Sequence, residues 1–182
     1  MSCFISQNFV LDCRNASIGG VKQLWILGAS GNTITSYTVD ADEKITAMSG
    51  SGVWYSFALP KQSASFTEEL SVNDAAQSIS FNPSLNISLP KLDQSLRNTF
   101  FELTKQNEIY AIMLDNNERY WMLFLANGGT ISAGNMQTGQ NYNDLNGVTV
   151  TLSGGEPNPS REFDLGVGTL SDLLTAGGFT VE

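Results

Sequence analysis

Histidine is absent from this chain of 182 residues. With it go the commonest general base, the Ser-His triads and most zinc or iron sites. Cysteine is nearly absent: Cys3 and Cys13 are too few for a disulfide framework and lack metal-ligand company, which leaves two free thiols or one terminal staple. Charge is also scarce, at 15% of residues, and the nine basic side chains nowhere cluster. With a net charge of -9, the chain lacks the grouped Lys and Arg that adhesion to phosphate backbones requires. No apolar run approaches the roughly 20 residues that span a bilayer. Near the start, Phe4, Ile5 and Phe9 to Leu11 are interrupted by Ser6, Gln7 and Asn8, where a signal peptide would be continuous. These absences predict a cytosol-made protein that is not an enzyme and uses no membrane, cofactor or metal.

Ser, Thr, Asn, Gln and Gly fill the space that charge leaves, a mix that favours many strands joined by polar turns. The length suits one domain with a real core. Strands are expected at Val21 to Leu27, Thr33 to Val39, Lys44 to Met48 and Val53 to Leu59, with turns at Gly28 to Asn32, Asp40 to Glu43 and Ser49 to Gly52. Ser63 to Leu70 alternates weakly, and Asn73 to Gln77 reads as a turn. Ile79, Phe81, Leu85, Ile87 and Leu89 alternate with polar residues around Pro83, which predicts a half-buried strand or two short ones broken there.

One amphipathic helix is predicted at about 90–106, with Leu92, Leu96, Phe100 and Leu103 at helical spacing and Pro90 at its first position. A hairpin follows, Ile109 to Leu114 and Tyr120 to Leu125 around Asp115 to Arg119. Both its strands are apolar at nearly every residue, so both faces should be covered. The helix can cover one; a second sheet or a neighbouring subunit must cover the other. A long polar surface loop is expected at about 128–146, then an alternating strand at Gly147 to Leu152. The domain therefore runs from 1 to 159, with an N-terminal arm, and 160–182 reads as an acidic C-terminal arm.

Motifs that carry chemistry fail on inspection. Gly28-Ala-Ser-Gly31 and Gly50-Ser-Gly52 lack the spacing and helix of a nucleophile elbow and read as hairpin turns. Gly166-Val-Gly168 lacks the third glycine of a dinucleotide site. Asp40, Asp42 and Glu43 offer oxygens to a hard cation, but the EF-hand spacing is missing and a solvated turn accounts for them. Glu68 and Glu69 have no acid partner or oxyanion donor nearby. Trp54, Tyr55, Tyr120 and Trp121 would suit a sugar platform if exposed; among alternating strands they fit a core or a subunit interface better.

The order of these elements, with Leu89 to Asn107 as the helix, the Ile109 to Leu125 hairpin and the late strand Val148-Thr-Val-Thr-Leu-Ser-Gly-Gly-Glu-Pro157, resembles the tail tube proteins of tailed bacteriophages. The likeness covers most of Val21 to Pro159 and lies in element order and texture. It implies a mainly β fold, a two-sheet β-sandwich with a helix at its side. It further implies a homo-oligomer: hexameric rings closed by a β-barrel wall and stacked into a tube in the virion, beside other tail proteins. DNA passes through such a channel without specific binding, and an acidic wall keeps its phosphates from sticking. On this resemblance Asp40, Asp42, Glu43, Glu68, Glu69, Asp115 and Glu118 are candidate lumen acids. Trp54, Tyr55, Tyr120 and Trp121 are candidate interface residues. The alternatives are another ring-forming tail, connector or terminator subunit, and a non-viral carbohydrate-binding or adhesive β-sandwich.

Overall fold

The structure, a computed structural model, describes residues 17–182. The expected N-terminal arm and the two cysteines, Cys3 and Cys13, lie outside the described residues. Along the chain run β1 (Val21–Gly28), β2 (Thr33–Val39), β3 (Ile45–Ala58), β4 (Ala64–Asn73), β5 (Ser78–Pro90) and helix α1 (Gln94–Thr104). There follow β6 (Ile109–Asp115), β7 (Tyr120–Leu123), β8 (Thr130–Gln137), β9 (Gly147–Ser153), β10 (Arg161–Glu162), helix α2 (Leu170–Ala176) and β11 (Phe179–Val181). They form a seven-stranded sheet, in order β10-β7-β6-β1-β3-β11 with β2 on β3, and a four-stranded sheet, β4-β5-β9-β8. The mainly β, two-sheet expectation holds.

Two cores flank the larger sheet, which explains why its central strands are apolar at consecutive positions. Leu24, Ile26, Ala111, Met113 and Leu123 face one core, closed by Leu85, Ile87, Val148, Val150 and Leu152 of the smaller sheet and by Phe100 of α1. Trp25, Leu27, Ile112, Leu114 and Met122 face the other, closed by Trp54, Phe163, Leu170, Leu174 and Phe179. The second face is thus covered by the chain's own C-terminal segment. Residues 160–182 are acidic as read, but they pack as β10, α2 and β11 rather than reaching out as an arm. Four buried apolar side chains spaced along them drive that docking at about 1.5–3 kcal/mol each.

Four features of these elements have local reasons, three of them departures from the expected pattern. Helix α1 begins after Asp93, whose carboxylate accepts the N–H of Leu96, while Pro90 ends β5 instead of opening the helix. Ser49 to Gly52 is no turn: β3 runs 14 residues straight through it, exchanging partner β2 for β1. Gly50 is needed there, because a Cβ would sit 2.2 Å from the carbonyl oxygen of Thr33 and 2.5 Å from the Phe179 ring. Strand β5 is also continuous, through Pro83, whose carbonyl accepts from Gly154 N–H. Its missing donor falls just beyond Ser84, where the regular ladder to β9 ends. Finally, β8 occupies the first half of the expected loop at 128–146; its polar residues pair along β9, and only 138–146 remain a loop.

Candidate functional site: an open polar sheet face

In the smaller sheet, side chains alternate between faces, and residues opposite one another in register share a face. The inner face is apolar and joins the first core. The outer one is of a single chemical kind. Strand β5 presents Ser78, Ser80, Asn82, Ser84, Asn86 and Ser88 there, and β4 presents Ser65, Thr67, Glu69, Ser71 and Asn73 opposite them. Strand β9 continues the face with Thr149, Thr151 and Ser153, and β8 with Thr130, Ala133, Asn135 and Gln137. Glu69 is its one charge, and no Lys or Arg stands on it. Neighbouring groups also bond across strands, as the Thr151 hydroxyl does to the Asn86 amide oxygen at 2.6 Å. The sequence signal for this face was the polar half of the β5 alternation, a run of small uncharged residues that the apolar half overshadowed.

Among the described residues both edges of this sheet are open: β4 pairs with β5 alone and β8 with β9 alone. Long unpaired edges are templates for further strands. The β4–β5 hairpin also runs past the core. Its inward stripe, Ala64, Phe66, Glu68, Leu70 and Val72, ends with Leu70 and Val72 at 60% and 56% exposure, beside Ile79 at 59%.

The seven candidate acids share no common wall. Only Glu69 lies on the open face. Asp40 accepts the N–H groups of Asp42 and Lys44 and so closes the β2–β3 turn, where Asp42 is exposed and Glu43 pairs with Arg161. Asp115 likewise accepts from Asn117 and Arg119 in the β6–β7 turn, and Glu118 pairs with Lys22. Short carboxylates beside turns serve their own backbone first. Glu68 points inward and accepts from the N–H and hydroxyl of Ser160. It lines a cavity of about 380 Å³ together with Asp115 and Trp121. The Trp121 indole N–H reaches Asp115 at 3.5 Å. Asp40 and Asp115 thus close turns, Glu68 ties β4 to the segment before β10, and Glu43 and Glu118 pair with bases.

The candidate interface aromatics divide in the same way. Trp54 is fully buried, edge-on to Phe179 with ring centroids 6.0 Å apart, and belongs to the second core rather than to a surface. Its position in β3 points it under α2 and β11, which sequence alone did not place there. Tyr120 and Trp121 are half-buried; Tyr55 is exposed. Of the three tryptophans, Trp25 and Trp54 are buried and Trp121 half-buried, so none offers a free platform to a sugar.

One buried charge joins the sheets. The carboxylate of Glu156 accepts the N–H groups of Ala126 and Asn127, in the turn after β7, at 2.9 and 3.0 Å. Its backbone meanwhile exchanges hydrogen bonds with Phe81 of β5. Burial pushes its pKa up, opposed by those two donors and reinforced by Glu68. Among the described residues no three His, Cys, Asp or Glu side chains converge as a metal site, and no helix is long and apolar enough to cross a membrane. No protein-family model, curated protein or solved structure matches this chain.

Proposed function

We propose that this chain is a structural virion protein, a tail tube subunit that assembles into stacked rings around a channel for DNA. The observation that carries this reading is the four-stranded sheet, apolar on one face, hydroxyl-rich with Glu69 as its one charge on the other, and unpaired at both edges among the described residues. A sheet of this kind is a wall element. Its strand directions alternate from β4 to β8, so β8 of one copy can receive β4 of the next in antiparallel fashion. Repetition around a closed circle leaves no edge open.

The wall's chemistry suits passage rather than binding. Phosphates are held by Lys and Arg through release of counterions, and this face has neither. Serine, threonine and asparagine stay hydrated and offer no apolar area to bases, while Glu69 and the net charge of -9 repel the backbone at longer range. The larger sheet, covered on both sides by the chain itself, acts as the rigid outer body to which each wall segment is fixed.

Negative-stain microscopy with light scattering over a concentration series tests this. The expected result is rings with a central hole that lengthen into tubes. Rings that never stack would favour a connector or terminator subunit. A monomer at every concentration, together with binding to a glycan array, would overturn the reading in favour of the sugar-binding sandwich.

A further inference from the structure

Just ahead of β1 the chain passes the β4 edge of the smaller sheet, held there by the β6–β7 turn. The Ile18 N–H donates to the Asn117 side-chain oxygen at 2.8 Å, and the Asn117 amide donates back to the Ile18 carbonyl at 3.0 Å. Asn116 donates to the Gly19 carbonyl at 2.6 Å. A Cβ on Gly20 would stand 4.0 Å from the carbonyl oxygen of Ala64, the first residue of β4. Ser17 and Ile18 share the cavity of about 380 Å³ with Phe66 and Glu68, the next inward side chains of that strand. The chain ahead of Ser17 therefore sets out from the start of β4, and a segment that keeps to this edge can only run antiparallel to it.

The edge has donors to offer such a segment. The Ser88 N–H donates to the Ser63 carbonyl, so alternation gives Ser65, Thr67, Glu69 and Ser71 to β5 and turns the N–H groups of Phe66, Glu68, Leu70 and Val72 outward. Among the described residues no strand pairs with them. On the inward side, Leu70 and Val72 are 60% and 56% exposed.

The sixteen residues ahead of Ser17 lie outside the described residues, and their sequence fits what the edge lacks. Extended, they span up to ~50 Å, against ~33 Å for the ten residues of β4. Cys3, Ile5, Phe9, Leu11 and Cys13 are apolar at odd positions, broken only by Gln7. Ser2, Ser6, Asn8, Asp12 and Arg14 are polar at even positions, broken by Phe4 and Val10. Strand β4 divides in the same way, with Ala64, Phe66, Leu70 and Val72 inward and Ser65, Thr67 and Ser71 outward.

We propose that residues 3–13 add a strand to the β4 edge of the same molecule, antiparallel to β4. Their odd-numbered side chains face inward beside Leu70 and Val72, and the even-numbered ones extend the hydrated outer face. The added strand satisfies the outward donors of β4 and blunts an edge that is otherwise a template for other chains. This goes beyond the tube reading and does not rest on it; where rings form, β8 of a neighbour reaches β4 by displacing this strand.

Amide hydrogen exchange of the full chain tests it, read residue by residue by NMR at a dilution where light scattering gives a monomer. The amides of Phe66, Glu68, Leu70 and Val72 are expected to exchange at least about tenfold more slowly than free amides. Phe9→Asp combined with Leu11→Asp should abolish most of that protection. Phe4→Asp combined with Val10→Asp, on the opposite face, should preserve it. Amides of Ile112 and Met113 in the larger sheet report that each variant stays folded, with serine replacing aspartate should one not. Unprotected edge amides in the wild-type monomer overturn the proposal, as does equal loss in the two double variants. Protection that appears only as the chain associates overturns it too, and makes a second copy the occupant. A chain that never assembles but protects these amides overturns the tube reading alone.

Discussion

The larger sheet buries its central strands from both sides, while the smaller one, among the described residues, is covered on a single face and open at both edges. Strands β1 and β6 send Leu24 and Ala111 into one core and Trp25 and Ile112 into the other. In β5 and β9 every second residue, from Ser78 to Ser88 and from Thr149 to Ser153, is Ser, Thr or Asn and meets no covering layer among the described residues. The difference separates two tasks within one domain. A sheet packed on both faces is fully engaged by its own chain, whereas a sheet with open edges and an exposed hairpin leaves backbone groups and apolar area available for pairing.

The strongest way to break this comparison is to remove the cover of the larger sheet. Truncation after Pro159 takes away Phe163, Leu170, Leu174 and Phe179 and exposes Trp25, Trp54 and Ile112. Loss of cooperative urea unfolding is expected; a truncated chain with an unchanged midpoint would show that 160–182 is a dispensable arm after all. Next in size is Trp54→Ala, expected to cost about 3–5 kcal/mol by denaturant titration. Trp54→Phe should cost clearly less, because the buried indole N–H has no partner among the described residues and its removal relieves an unpaired donor.

Glu156 tests the seam between the sheets through pH. Its folded pKa is raised by burial, so the folded state holds this proton more firmly than the unfolded chain does. Its favourable contribution is complete below the ordinary value of 4.5 and is lost as pH rises through the folded pKa. The stability of wild type minus that of Glu156→Gln should therefore fall as pH is raised from about 4.5, and then level off. A difference that grows with pH would mean the Ala126 and Asn127 donors outweigh burial. Least of all should be Ile79→Ser in the uncovered hairpin, which is expected to change monomer stability by no more than about 0.5 kcal/mol. A larger loss would place Ile79 inside a core that the monomer completes alone.

Much of this was legible in the sequence because it rests on local periodicity. The alternation at Ile79 to Leu89 and Val148 to Leu152, the helical spacing from Leu92 to Leu103, and the two-sided apolar run in β6 each follow from which faces a strand or helix must bury. That same run correctly demanded cover on both faces. It could not name the cover, because Phe163, Leu170, Leu174 and Phe179 are too widely spaced to read as a core element. Likewise Ser49 to Gly52 looked like a turn, since glycine in sequence signals freedom, whereas here Gly50 makes room for Thr33 and Phe179.

By itself, then, the sequence determined most of the strands before β8, the central helix, the β6–β7 hairpin and the acidic balance, since these depend on residue type and neighbours a few positions away. Tertiary structure alone decided which strands share a sheet, that the last residues close a second core, and that, among the described residues, one Ser, Thr and Asn face stays open beside two free edges. Those outcomes depend on contacts between residues far apart in the chain, such as Glu156 with Ala126 and Phe179 with Trp54, and no local pattern encodes them.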